Sequence, residues 1–348
     1  MLKSEVYVIN SFPSIKNEKE GKQQRVKAID SIISDVSRCY IDLTVRGNFI
    51  PRILNVAEGV IEVRLNYFLY SLFVSLFLIL KKPVVYVHSV FESVKVIPAF
   101  FFSNNIILDL HGVVPEELNL INKNGKSILY RWIEMISVKK SKMNVVVTRK
   151  MASHFSKKYR QSEKRFIVVP IFSIITKSSL GKDSKLTAIY AGGMQKWQCI
   201  DKMVSFIRNE KRLNYKLYFP SPSDFITSYP DITLMDNVTI STGTPEEIFT
   251  EYNKSHFGLI IRDDVVINQV ACPTKLIEYI NSDLVPIVGD CSIGDFEDLG
   301  MKSIHYQNFD YNKLALDSFD NKELKKNLIE LSINGKVDLT NLLRDLGL

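Results

Sequence analysis

Lys275 and Glu278 stand three positions apart, directly after Pro273-Thr274. Proline fits the opening of a helix, so Thr274, Lys275 and Glu278 fall in its first turns. A helix N-terminus attracts anions, and a lysine there is placed for a phosphate. A glutamate one turn on can accept hydrogen bonds from vicinal hydroxyls, as acidic residues do from ribose in dinucleotide folds. The four residues outline a nucleotide-diphosphate site. Upstream, Arg262 ends a short apolar run, and Asn268 and Gln269 are polar loop residues suited to sugar hydroxyls. Asp263-Asp264 lacks a third acid at metal spacing, so no metal is expected.

Three further loops carry candidate chemistry. Ala191-Gly192-Gly193-Met194-Gln195-Lys196 places two glycines where backbone and ligand can approach closely, then offers a cation to phosphate. Its bland reading is a tight turn with a solvated lysine. Asp109-Leu110-His111-Gly112 puts a histidine at a strand end, for a substrate hydroxyl or for acid-base work near neutral pH. The alternative is a structural histidine. Ser11–Arg25 holds Gly21, Lys22 and Arg25 ahead of a helix, as either a phosphate-binding loop or a plain polar one.

These loops need strands to end on. Apolar runs at Val6–Asn10, Val84–His88, Ile106–Leu110, Asn144–Thr148 and Phe166–Pro170 alternate with helical stretches near Gln23–Arg38 and Ile128–Val138. After a Ser/Lys/Gly-rich linker at Ser173–Ser184 the pattern restarts. Strands are expected at Thr187–Tyr190, Tyr215–Phe219, Val238–Ser241, Gly258–Ile261 and Val285–Val288, with helices at Gln198–Asn209 and Glu246–Asn253. Such alternation predicts an α/β chain of parallel sheets with helices on both faces. Two similar halves predict two Rossmann-like domains facing across a cleft, 1–173 and 185–334. A final segment, 335–348, would be a helix packing back on the N-terminal domain. Ligands would sit beyond the carboxyl ends of the strands.

The 348 residues carry 24% charged and 46% hydrophobic side chains, a globular composition, with a formal net charge of +7. Between Lys139 and Arg165 ten Lys/Arg face one acid, Glu163, so this segment exceeds the whole net charge. It is either a solvated face or a surface for anionic lipid or a diphosphate-bearing acceptor. No nucleic-acid-binding signature accompanies it. Leu65–Leu80 is almost entirely apolar but short for a span, and fits a buried or interfacial helix. Four scattered cysteines fit reduced thiols in a cytoplasm. The N-terminus lacks the apolar core of a signal peptide.

With these residues in place, the chain resembles retaining glycosyltransferases of the GT-B fold, close to the family 4 group and its bacterial surface-polysaccharide branch. The resemblance is carried by Tyr190–Ile200 (YAGGMQKWQCI), His256–Gly289 and Leu108–Glu117 (LDLHGVVPEE). It implies that Lys196 and Lys275, with Arg262, bind the donor diphosphate, that Glu278 binds ribose and that His111 contacts the donor sugar. The family's N-terminal glycine loop falls near Gly21 and Arg25. It implies transfer with retention, by front-face attack without a protein nucleophile or a metal. The donor would be a nucleotide-diphosphate sugar, the acceptor a polyprenyl-diphosphate-linked saccharide, and the setting cytoplasmic and peripheral on the membrane. Two features depart from the pattern. The glutamate expected eight residues before Glu278 is Val270, and no arginine lies between Gly193 and Lys196. A nucleotide-sugar epimerase and a non-catalytic binding subunit are the alternatives on the same fold.

Overall fold

A computed structural model describes residues 4–13, 21–171 and 181–348. Residues 14–20 of the expected glycine loop Ser11–Arg25 and 173–180 of the linker lie outside the described residues. The first sheet collects β1 (Val6–Ile9), β2 (Arg38–Thr44), β3 (Arg52–Ala57), β4 (Val60–Asn66), β5 (Val84–His88), β6 (Ile106–Leu110), β7 (Met143–Val146) and β8 (Phe166–Val168). Their order is β3-β4-β2-β1-β5-β6-β7-β8, parallel throughout except for the β3–β4 hairpin. The second sheet holds β9 (Thr187–Ala191), β10 (Asn214–Tyr218), β11 (Val238–Ser241), β12 (Phe257–Ile260), β13 (Val285–Val288) and β14 (Ile304–His305). Its order is β11-β10-β9-β12-β13-β14, all parallel.

Every residue of β1, β5, β6, β9, β12 and β13 is buried. That explains why these strands read as unbroken apolar runs, since a parallel sheet is covered on both faces. In each sheet the chain builds outward from one central strand and then crosses to that strand's other side. The crossings lie between β1 and β5 and between β9 and β12. Such switch points open a crevice beyond the strand ends where ligands bind in open α/β sheets.

The chain divides into two compact units, Met1–Ile171 with Leu331–Leu348, and Phe172–Glu330. The division falls inside one long helix, Lys322–Asp345. Leu339, Leu342 and Leu343 of that helix join the core of the first unit beside Val6, Val8 and Ile29. The second unit has its own core around Tyr190, Leu217, Leu259 and Ile287.

Several expected boundaries change. The helix expected to reach Arg38 spans Gly21–Ile32. Arg38 begins β2, and its guanidinium turns back to the carbonyls of Ile33, Ser34 and Val36, closing the helix end. Leu65 and Asn66 finish β4, so the apolar helix starts at Tyr67 and runs to Lys81. Asn66 caps it, accepting from the amides of Phe68 and Leu69. The helix after β11 is Pro245–Lys254, closed by a full capping box between Thr244 and Glu247.

Candidate functional site

In the second unit, the ends of β9 and β12 flank the switch point. Gly192 and Gly193 follow β9, Arg262 follows β12, and the helix Thr274–Asn281 comes after the short helical turn Val266–Gln269. That helix sits close against β12 because Gly258 has no side chain: a Cβ there would stand 2.2 Å from the Tyr279 ring. Pro273 caps the helix without a side-chain hydrogen bond; its carbonyl takes the amides of Leu276 and Ile277, which leaves those of Thr274 and Lys275 at the helix start for a ligand.

Lys275 is buried, and its Nζ lies 4.0 Å from the centroid of the Tyr190 ring. The same Nζ donates to Gln198 Oε1 at 3.1 Å. Arg262, also buried, donates to that oxygen at 3.1 Å and to Asn268 Oδ1 at 3.3 Å. Its Nε is buried with no partner. Two cations thus converge on one neutral amide, and neither makes an ion pair among the described residues. Burial, and then the nearby Arg262 charge, push the Lys275 amine well below the ordinary lysine range. Gly192 makes room for this amine, since a Cβ there would meet Nζ at 2.4 Å. Tyr190 fixes the glycine loop by donating its hydroxyl to the Gly193 carbonyl at 2.6 Å.

Glu278 accepts from the Tyr252 hydroxyl at 3.1 Å. Burial raises its pKa against the opposing pull of Tyr252 and Lys275. Thr274 is half-buried at the helix start, and Lys196 is exposed at the head of the short turn Lys196–Gln198. Lys275, Arg262, Gly192 and Glu278 are therefore gathered at the switch point. Gln198, the shared acceptor, was not anticipated. A neutral amide carries no charge signal, though its place in the same loop as Lys196 was a clue.

Asn268 does not fit its expected role as a reader of sugar hydroxyls. It is fully buried; its amide donates to the carbonyls of Trp197 and Asp263 and its oxygen accepts from Arg262. Both ends of the amide are used in clamping three chain segments. Gln269 donates to Asp264 at 2.9 Å. Asp263 pairs with Lys202 at 2.5 Å. Among the described residues no group of three or more His, Cys, Asp or Glu is arranged to hold a metal.

In the first unit, Arg25 is not a loop cation. It lies in the helix Gly21–Ile32, fully buried. Its Nε and Nη2 reach the two oxygens of Asp109 at 3.0 and 2.7 Å, and Nη1 donates to the Val169 carbonyl at 2.5 Å. His88 at the end of β5 meets Asp109 at 3.0 Å. Burial alone would raise the Asp109 carboxyl, but Arg25 and the neighbouring histidines hold it well below the usual carboxylate range. Burial lowers the His88 pKa despite Asp109, so His88 is neutral. His111 is partly exposed, with Nδ1 3.6 Å from Asp109, an electrostatic contact longer than a hydrogen bond. Glu117 accepts the Val113 amide, and burial raises its pKa.

The basic segment Lys139–Arg165 does not form one continuous face. The buried strand β7 interrupts it. Lys158 is committed to Glu116 and Glu134, and Arg165 to Gln161 and the carbonyls of Lys139 and Ser141. A cavity of about 770 Å³ lies between the helices Asn124–Lys140 and Arg149–Tyr159, lined by Trp132, Arg131, Lys139, His154 and Lys158 among others. It contains none of the candidate donor residues.

No protein-family model matches the chain, and no curated protein matches it in sequence. Solved structures do. An Escherichia coli trehalose-6-phosphate structure bound with UDP-2-fluoro glucose superposes with a TM-score of 0.66 at 11% identity, covering 97% of this chain and 98% of that one. A glycosyltransferase from Rickettsia africae gives 0.65 at 11% identity, covering 98% and 97%. WaaG, a glycosyltransferase involved in lipopolysaccharide biosynthesis, gives 0.60 at 12% identity, covering 98% of each chain. At this level of identity the likeness establishes the architecture, and the chain has the GT-B fold, with two parallel-dominated α/β sheets.

Proposed function

We propose that the protein is a retaining, metal-independent glycosyltransferase of the family 4 type, acting in surface-polysaccharide synthesis. Its donor is a nucleotide-diphosphate sugar and its acceptor a polyprenyl-diphosphate-linked saccharide. The observation that carries this reading is the pair of buried basic side chains, Arg262 and Lys275, with no carboxylate in hydrogen-bond reach, beside a helix start that no side chain caps. A diphosphate supplies the missing negative charge and accepts from Arg262 Nε and the first-turn amides. Glu278, steadied by Tyr252, takes the ribose hydroxyls. The structural relative bound to UDP-2-fluoro glucose supports a donor of this class. WaaG, with its lipopolysaccharide role, supports the polysaccharide setting.

The chemistry follows from the charges. Transfer breaks the bond between the anomeric carbon and the diphosphate oxygen, so negative charge grows on the leaving group. Lys275, Arg262 and the helix start are already in place to stabilise it, the arrangement that contributes most in such sites. Lys196 adds a cation from the exposed turn. The acceptor hydroxyl attacks the anomeric carbon on the face from which the diphosphate departs, and its proton passes to the departing oxygen. Asp109 favours a proton on His111 Nδ1, leaving Nε2 as an acceptor for a donor-sugar hydroxyl. The cations meet the electrostatic demand that a divalent metal meets elsewhere. Transfer is tested by incubating the protein with nucleotide sugars and a polyprenyl-diphosphate saccharide. A new glycosidic product of retained configuration is expected. Interconversion of the free nucleotide sugar without transfer would replace this reading with an epimerase.

A further inference from the structure

The helix Tyr67–Lys81 buries only Val74, Ser75 and Leu78 of its apolar residues and neighbours. Its opposite face carries Phe68, Leu69, Leu72, Phe73, Leu76 and Leu80, each between 45% and 77% exposed. These recur every three or four residues, so they form one continuous stripe. Phe101 and Phe102, both more than half exposed, lie on the helix Ile97–Phe102 that packs against it. Phe49 and Ile50 extend the apolar surface on the other side, where Tyr70 donates to the Phe49 carbonyl. A soluble monomer rarely exposes a contiguous apolar area of this kind without a use for it.

Cations rim the stripe. Lys81 ends the helix and Lys82 follows it, and Arg46 and Arg52 flank Phe49 and Ile50. Lys140 Nζ lies 6.0 Å from the Phe101 ring, with Lys139 beside it in the chain. The stretches 44–57, 67–82, 97–105 and 139–144 contain no Asp or Glu at all. Two copies meeting through this face would bring like charges together, whereas an anionic bilayer offers acyl chains to the stripe and headgroups to the rim. Fifteen helical residues span about 22 Å, short of a hydrocarbon core of about 30 Å. Among the described residues no helix is long and apolar enough to cross a membrane.

We infer that the first unit docks flat on an anionic lipid surface, with the outer stripe of Tyr67–Lys81 and the Phe101-Phe102 tip entering the acyl boundary and Arg46, Arg52, Lys81, Lys82, Lys139 and Lys140 meeting the headgroups. This docking stands on the first unit alone and does not depend on the donor site. It explains how a lipid-linked acceptor and the enzyme would share one surface. Co-sedimentation with phosphatidylglycerol-containing vesicles and with pure phosphatidylcholine vesicles tests it. The protein should pellet with the first and remain in solution with the second. Lys81→Ala with Lys82→Ala should weaken binding roughly 25-fold, from about fivefold per cation. Leu72→Ser with Phe73→Ser should abolish it. Circular dichroism and melting temperature check the fold of each variant without reference to nucleotide. Hydrogen exchange on the unmodified protein supplies the test that needs no variant, with slowed exchange at 67–81 and 97–102 only when anionic vesicles are present. Failure to bind anionic vesicles, variants that bind unchanged, or a dimer dissociated by Leu72→Ser with Phe73→Ser in a protein that ignores lipid would each overturn the inference.

Discussion

Arg25 and Asp109 in the first unit meet as a fully buried bidentate pair, completed by His88 and the Val169 carbonyl. Arg262 and Lys275 in the second unit are also buried, yet they face each other across a single amide oxygen with no acid in hydrogen-bond reach. The first cluster is electrically closed and holds a helix, two strands and the end of β8 together. The second is electrically open, and an uncompensated buried charge costs several kcal/mol. Such a cost persists where a ligand repays it. Equal burial therefore means different things: closure marks structure, and openness is the ground on which we propose a binding site.

Breaking the closed cluster should have the largest effect. Arg25→Ala strands the Asp109 carboxylate, and urea unfolding should show a loss of about 3–5 kcal/mol. Lys275→Met removes a buried amine that burial already disfavours as a charge and that meets no carboxylate within hydrogen-bond reach, so the same measurement should show unchanged or increased stability. Its effect falls on ligand binding instead. Loss of a charge-assisted contact of about 2–3 kcal/mol weakens nucleotide-diphosphate affinity roughly 30- to 150-fold by titration calorimetry. Glu278→Gln should cost about tenfold for nucleoside diphosphates and leave inorganic pyrophosphate binding unchanged, because in the proposed complex only ribose meets this side chain. Gly192→Ala should be the mildest. Its Cβ would displace the flexible Lys275 amine rather than backbone, so stability should change by less than about 1 kcal/mol while diphosphate affinity falls severalfold.

Much of the scaffold was legible because parallel strands announce themselves. Val84–His88, Ile106–Leu110, Val238–Ser241 and Val285–Val288 fall at the expected bounds, each a short run rich in branched residues between polar segments. β2 and the β3–β4 hairpin were not foreseen. β3 alternates exposed and half-buried positions at the sheet edge, and β2 begins on an arginine whose purpose is to close the preceding helix. In the site, glycines at a strand end and a lysine at a helix start were readable from local spacing. Arg25 was not, because its partner lies 84 positions away. Asn268 misled for the same reason, its amide being engaged by a carbonyl 71 positions distant. Local spacing reveals which groups a loop offers; only the fold reveals which of them are already taken.

The openness of the second cluster is tested most directly by calorimetric titration of UDP, GDP, CMP and their sugars in two buffers of different ionisation enthalpy. Lys275 is held well below the ordinary lysine range of about 10.4, so an arriving diphosphate restores its charge. At least one nucleotide diphosphate should bind with net proton uptake, and its affinity should fall as pH rises through the depressed range. Both the uptake and most of the affinity should vanish in Lys275→Met. Absence of binding by every nucleotide, or equal affinity in the wild type and Lys275→Met, would contradict the account.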